Sequence, residues 1–109
     1  MLRWSMEADT IVIENNTEKS QYEAKQDGKV IAFAEYRPIG TSVMFTHTEV
    51  NEALEGKGVG SKLIRYALED TRSKGMTAIP MCPFVKAFIQ RHKDFIDVVH
   101  PAHRKVFGM

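Results

Sequence analysis

The chain has 109 residues, 43% hydrophobic and 27% charged, which suits one modest core and not two. Fifteen Lys and Arg offset 14 Asp and Glu for a net charge of +1, so nothing electrostatic argues for nucleic acid or an anionic membrane as main partner. The single cysteine, Cys82, excludes an internal disulfide and fits a reducing compartment, and no apolar run reaches the roughly 18–20 residues that span a bilayer. The opening MLRWSMEADT lacks the apolar stretch of a secretory signal, so a cytoplasmic location is expected; a monomer is expected as well. Residues 1–9 read as a flexible N-terminal extension to a single domain over 10–109, with Met6 an alternative start.

Thr10–Glu14 (TIVIE) is a short β-branched run, followed by Asn15-Asn16-Thr17 as a polar turn. Gln21–Lys25 alternates weakly, with Tyr22 and Ala24 on one side. Asp27-Gly28 is a two-residue hairpin signal, which makes Gln21–Gln26 and Lys29–Arg37 adjacent antiparallel strands. Along Lys29–Tyr36, Val30, Ala32 and Ala34 share one face, and Ile31, Phe33 and Glu35 the other; Pro38 and Gly40 close the strand. Ser42–Val50 alternates again, with Val43, Phe45 and His47 opposite Met44, Thr46 and Thr48. The period then changes to that of a helix at Val59, Leu63, Ile64, Ala67 and Leu68, which Gly75 caps. Met76–Met81 reads as a short buried strand. Pro83 opens a second helix with Val85, Phe88, Ile89 and His92 on one face, before an apolar tail at Phe95, Ile96, Val98 and Val99. The order predicts a mixed α/β (α+β) domain with one central, mostly antiparallel sheet and two main helices.

Between strand and helix, EGKGVGSK at residues 55–62 places glycine at every second position. A dinucleotide fingerprint fails in both registers, because its sixth position falls on Ser61 or Leu63; neither lysine fits a nucleotide P-loop. What remains is a glycine turn leading into an amphipathic helix, whose free N–H groups and positive end suit a diphosphate, with Lys57 or Lys62 adding charge. A plain turn is the competing reading.

Gly58-Val59-Gly60 resembles the last three positions of the Gln/Arg-x-x-Gly-x-Gly/Ala motif of the GNAT acyltransferase superfamily, with Glu55 where Gln or Arg is usual. The order of four strands, glycine loop, helix and strand resembles that superfamily too. Ile79-Pro80-Met81-Cys82-Pro83-Phe84-Val85, followed by Phe88, Arg91 and His92, is similar to a segment of the small GNAT-like N-acetyltransferases, which are little more than an acetyl-CoA-binding core. The resemblance runs from about Glu14 to Phe95. It implies an acetyl-CoA-dependent N-acetyltransferase, without a metal, acting on an unidentified amine of a small molecule or protein. The thioester would lie between the end of Ser42–Val50 and Met76–Met81. Cofactor contacts are implied at Val50, Glu55, Gly56, Lys57, Gly58, Val59, Gly60, Ser61, Phe84 and Arg91. The chain is too short for the helices that frame an acceptor pocket in larger relatives, so a non-catalytic CoA-binding or protein-interaction module is the alternative.

Three side chains are catalytic candidates. Cys82 lies just ahead of the helix opened by Pro83, where the N–H groups of Phe84 and Val85 and the helix dipole favour thiolate. The resemblance marks it as an acetyl acceptor; protonation of the departing CoA sulfur is the other role. Glu49 ends the strand before the glycine loop, where many of these enzymes place a carboxylate that helps deprotonate the amine, and a solvated strand end is the plainer reading. His47 lines a cleft or packs on the sheet. His100 and His103 have ligand spacing, but an exposed tail is expected in preference to zinc.

Overall fold

The computed structural model describes residues 11–109; the proposed extension at 1–9, and Thr10 of the first predicted run, lie outside the described residues. Five strands form one sheet in chain order: β1 (Val12–Asn16), β2 (Gln21–Gln26), β3 (Lys29–Ile39), β4 (Ser42–Val50) and β5 (Thr77–Pro80). The first four make an antiparallel meander, and β5 joins β4 in parallel. A parallel neighbour requires a crossover, supplied by helix α1 (Val59–Ser73). Helix α2 (Pro83–Arg91), a 3-10 turn over Lys93–Val98 and the short α3 (Pro101–Arg104) follow. The expected mixed fold, with a mostly antiparallel sheet and two main helices, is the one observed. No described helix is long and apolar enough to cross a membrane.

The β2–β3 hairpin forms where the sequence places it. Asp27 and Gly28 have φ of 54° and 80°, the paired left-handed geometry of a I′ turn, and Gln26 pairs with Lys29. The first turn falls later than expected. Asn15 and Asn16 belong to β1, paired with Tyr22 and Gln21, and the chain reverses at Thr17–Ser20. Asn16 contributes to that reversal by accepting the Lys19 N–H on its side-chain oxygen.

Two bulges correct the alternation read from the sequence. Ala24 pairs with Ala32 but Lys25 with Val30, which leaves Ile31 as the extra residue; Val30 is then exposed while Ala32 and Ala34 are buried. Glu35 pairs with His47 and Tyr36 with Phe45, which leaves Thr46 extra on β4. A bulge restarts the period of two. Phe45 stays in the core, but His47 joins Glu49 on the opposite face.

Tyr22, Ala24, Ala32, Ala34 and Phe45 present the buried sheet face to Leu63, Ile64, Ala67 and Leu68 of α1 and to Val85, Phe88 and Ile89 of α2. Small residues on β2 and β3 leave room for the helix above them. At the other end of α1, Gly75 takes the left-handed position after the last turn, with φ 71°, and the Met76 N–H returns to the Thr71 carbonyl. The apolar tail is part of the core: Phe95 is fully buried beside Phe88, and the Arg65 guanidinium lies over both rings at 5.2 and 5.6 Å. Of the pair His100 and His103, His100 is exposed and His103 half-buried; no described residues form a group of three metal ligands.

One polar contact ties sheet to helix. The buried Tyr22 hydroxyl donates to Asp70 at 2.7 Å, and the Lys74 ammonium reaches the same carboxylate oxygen at 2.8 Å. Burial, reinforced by the Asp70 hydrogen bond, pushes the Tyr22 phenol far above its usual range. Burial opposes ionisation of Asp70, but hydrogen bonds from Lys74 and Tyr22 outweigh it and hold the carboxyl below its ordinary value. A depressed carboxyl adds stability above its unfolded value, about 4, and loses that contribution as pH falls through the lower folded value. Asp70→Asn is therefore expected to cost about 1 kcal/mol at neutral pH, with the gap to the parent protein closing in acid. Urea denaturation at the two pH values checks this; a gap that persists in acid contradicts it.

Candidate functional site

β4 and β5 pair at four positions, from Ser42↔Thr77 to Phe45↔Pro80. Proline has no N–H to continue a ladder. One more bond, from the Cys82 N–H to the Phe45 carbonyl at 2.9 Å, closes the junction. β4 then runs on through Thr46–Val50 with β3 along one edge, while the other chain turns at Cys82 into α2. Between the diverging elements lies a cleft of about 730 Å³, a size suited to a cofactor or small ligand.

The start of α1 closes the far end of this cleft. Asn51 caps a 3-10 turn over Glu52–Leu54 by accepting the Ala53 N–H. Gly56 and Gly58 then take φ of 84° and 83°, where a side chain would be strained. Gly58 is the helix N-cap and offers no side-chain cap; the first helical bond runs from the Lys62 N–H to the Gly58 carbonyl. The N–H groups of Val59, Gly60 and Ser61 are thus the donors an α-helix leaves unpaired, at the positive end of its dipole. Gly60 serves a different purpose. A Cβ there would lie 2.6 Å from the tip of the Phe84 ring and 3.1 Å from a Val50 methyl. The ring of Phe84, in the first turn of α2, rests on the first turn of α1.

Of the predicted cofactor residues, Val50, Glu55, Gly56, Gly58, Gly60, Ser61 and Phe84 line the cleft. Lys57 is exposed outside the lining, Val59 is buried in the core, and Arg91 stands in the last turn of α2, away from the end that meets the cleft. Sequence reading missed Thr48, Glu52 and Leu54, which also line it. Thr48 was legible only with the bulge at Thr46 in hand, since the bulge is what turns it inward. Three carboxylates, Glu49, Glu52 and Glu55, face this space, and among the described residues no lysine or arginine joins them in its lining. The nearest donors for an anion among the described residues are therefore the backbone N–H groups at the start of α1.

Cys82 is the N-cap of α2, only 3% exposed, and its thiol donates to the Thr48 hydroxyl at 3.3 Å. The sulfur thus sits one side chain behind the cleft wall. Glu49 lies in the wall itself, and its Oε2 is 2.7 Å from His47 Nε2. His47 stands outside the cleft, with its ring 6.1 Å from that of Phe33.

Residues 21–98 match the family of GCN5-related N-acetyl-transferases. The chain belongs to that family. Among solved structures it is similar to a GCN5-like protein of Staphylococcus aureus, at 24% identity over 84% of this chain and 89% of that one, with a TM-score of 0.66. It is also similar to the ribosomal-protein-S18-alanine N-acetyltransferase of Escherichia coli, at 19% identity and a TM-score of 0.50, covering 52% of this chain and 37% of the enzyme. Both likenesses concern the fold. Among curated proteins none matches. The five-stranded sheet with its two main helices is thus the GCN5-related fold.

Packing between Gly60 and Phe84 gives a direct test of how this member of the family joins its two helices. Gly60→Ala gains about 1 kcal/mol of helix propensity but must displace the ring, at a cost of about 1–3 kcal/mol. It is expected to be neutral or destabilising alone and stabilising in a Phe84→Ala background. A double-mutant cycle read by thermal melting checks this; additive effects would contradict the contact.

Proposed function

We propose that this GCN5-related protein is an acetyl-CoA-dependent N-acetyltransferase. The observation that supports it is the wedge between β4 and β5, which ends on the unpaired N–H groups of α1. The residues present fit coenzyme A. Val59, Gly60 and Ser61 would hold its diphosphate by main-chain donors. Lys57 and Lys62, both exposed, would add only screened attraction. Glu52 and Glu55 are exposed as well, so their charge stays hydrated. The β4 edge at Thr46–Val50 would bond the amide-bearing arm, with Val50 and Phe84 as its apolar wall. The bound thioester supplies an activated acetyl group.

In the direct route, the amine nitrogen bonds to the acetyl carbon as the carbon–sulfur bond breaks. The amine proton passes to Glu49, whose pairing with His47 fixes the carboxylate. The departing sulfur takes a proton through Thr48 from the Cys82 thiol, which is then resupplied from solvent. A second reading makes Cys82 an acetyl carrier, supported by its place at the helix N-terminus beside the end of the β4–β5 ladder. There the Cys82 sulfur would bond to the acetyl carbon as the bond to the CoA sulfur breaks, its proton going to that sulfur; the amine nitrogen would then bond to the acetyl carbon as the bond to the Cys82 sulfur breaks, and the amine proton would return to Cys82.

Gly60→Val or Gly58→Val is expected to weaken CoA binding by calorimetry more than Lys57→Ala; the reverse order would sink the main-chain reading. Glu49→Gln is expected to lower kcat by about 100-fold. Intact-protein mass spectrometry after mixing with acetyl-CoA separates the routes: a hydroxylamine-labile adduct absent from Cys82→Ala identifies the carrier, and transfer without an adduct identifies direct attack. CoA binding without transfer to any amine would leave a binding module.

A further inference from the structure

A second cleft, of about 560 Å³, lies against β2, β3 and β4 and shares Glu49, Val50 and Glu52 with the first. The family assignment leaves it without a role. Its floor is a single row across the sheet: Glu23 pairs with Phe33, and Phe33 pairs with Glu49. Directly paired residues share a face and strands lie about 4.8 Å apart, so the two glutamates stand about 10 Å apart with an aromatic ring between them.

Glu23 is the unusual member. It is 2% exposed although it is a carboxylate, and such burial is costly without partners. One oxygen, Oε2, accepts from Gln21 at 2.6 Å and from Asn16 at 3.1 Å. The other, Oε1, has only the Lys25 ammonium at 3.7 Å, beyond hydrogen-bond reach, because that ammonium sits 2.7 Å from Glu14. Glu23 lines the cleft, and among the described residues no donor occupies Oε1. Among the described lining residues Lys19 is the one cation, against the three carboxylates Glu23, Glu49 and Glu52.

We propose that this cleft is the acceptor site and that it selects an aliphatic amine carrying a second cationic group about five carbons from the first, a length matched to the spacing of the carboxylate row. This rests on the transferase reading. One ammonium is held by Glu23 Oε1, the methylenes lie on Phe33, and the reacting amine reaches Glu49 at the boundary of the two clefts. The position of Glu49 in both linings is what makes one side chain able to serve acceptor and thioester together.

The test compares 1,5-diaminopentane with pentylamine, equal in carbon length and different by one charge. Binding is measured by calorimetry on the CoA-loaded protein, and acetyl transfer by mass spectrometry of the amine. The diamine is expected to bind about tenfold tighter, as one buried charge-assisted bond provides, and Glu23→Gln to bring the ratio near one. Equal binding of the two amines, or a preference that survives Glu23→Gln, overturns the proposal. Should Glu23→Gln fail to fold, the ratio in the unaltered protein decides alone. A diamine preference without transfer keeps the cation cleft and removes the transferase reading.

Discussion

Parallel pairing between β4 and β5 stops after four residue pairs, and the rest of the site depends on that stop. Pro80 ends the ladder because it lacks a donor; Cys82 makes the last backbone bond; Pro83, preset for a first helical position, sends the chain away as α2. Three residues of sequence thus convert a continuous sheet into a wedge. Had the ladder continued, the edge of β4 at Thr46–Val50 would be occupied by protein, and no cleft would separate it from α2.

The bulge at Thr46 decides what faces the wedge. By restarting the alternation it turns Thr48 and Val50 toward the helices and sends His47 and Glu49 to the other side. Glu49 stands at the margin where both clefts meet, together with Val50 and Glu52. Phe84 on Gly60 then locks the two helix starts together, so the unpaired donors of α1 are held at a fixed place relative to β4. Among the described residues, the lining combines carboxylates with the backbone donors of the helix end, so positive potential is confined to the start of α1.

Local chemistry made much of this legible in the sequence. The Asp27-Gly28 turn, the helix faces of α1 and α2, the Gly75 cap and the glycine loop each follow from the residues that form them. What escaped was set by pairing between strands. The extra residues Ile31 and Thr46 carry no signal of their own; they appear only when two strands are placed side by side, and they moved Val30 and His47 to unexpected faces. Glu23 escaped for the same reason, since its significance lies in a row shared with Phe33 and Glu49 on two other strands. The end of β1 was misjudged because polar Asn15 and Asn16 gain strand partners only in the folded protein, and the tail joins the core because Phe95 packs beside Phe88 with the Arg65 guanidinium over both rings.

The central claim is that the divergence of β4 from β5 creates the coenzyme A site. Amide NMR spectra of the full chain, recorded while CoA is added, test it most directly. The account predicts saturable shifts at Thr46–Val50 and at Gly58–Ser61, with little change at the N–H groups of Gly40 and Thr41, in the β3–β4 turn at the opposite end of the sheet. Shifts concentrated away from the wedge, or none at saturating CoA, would contradict it.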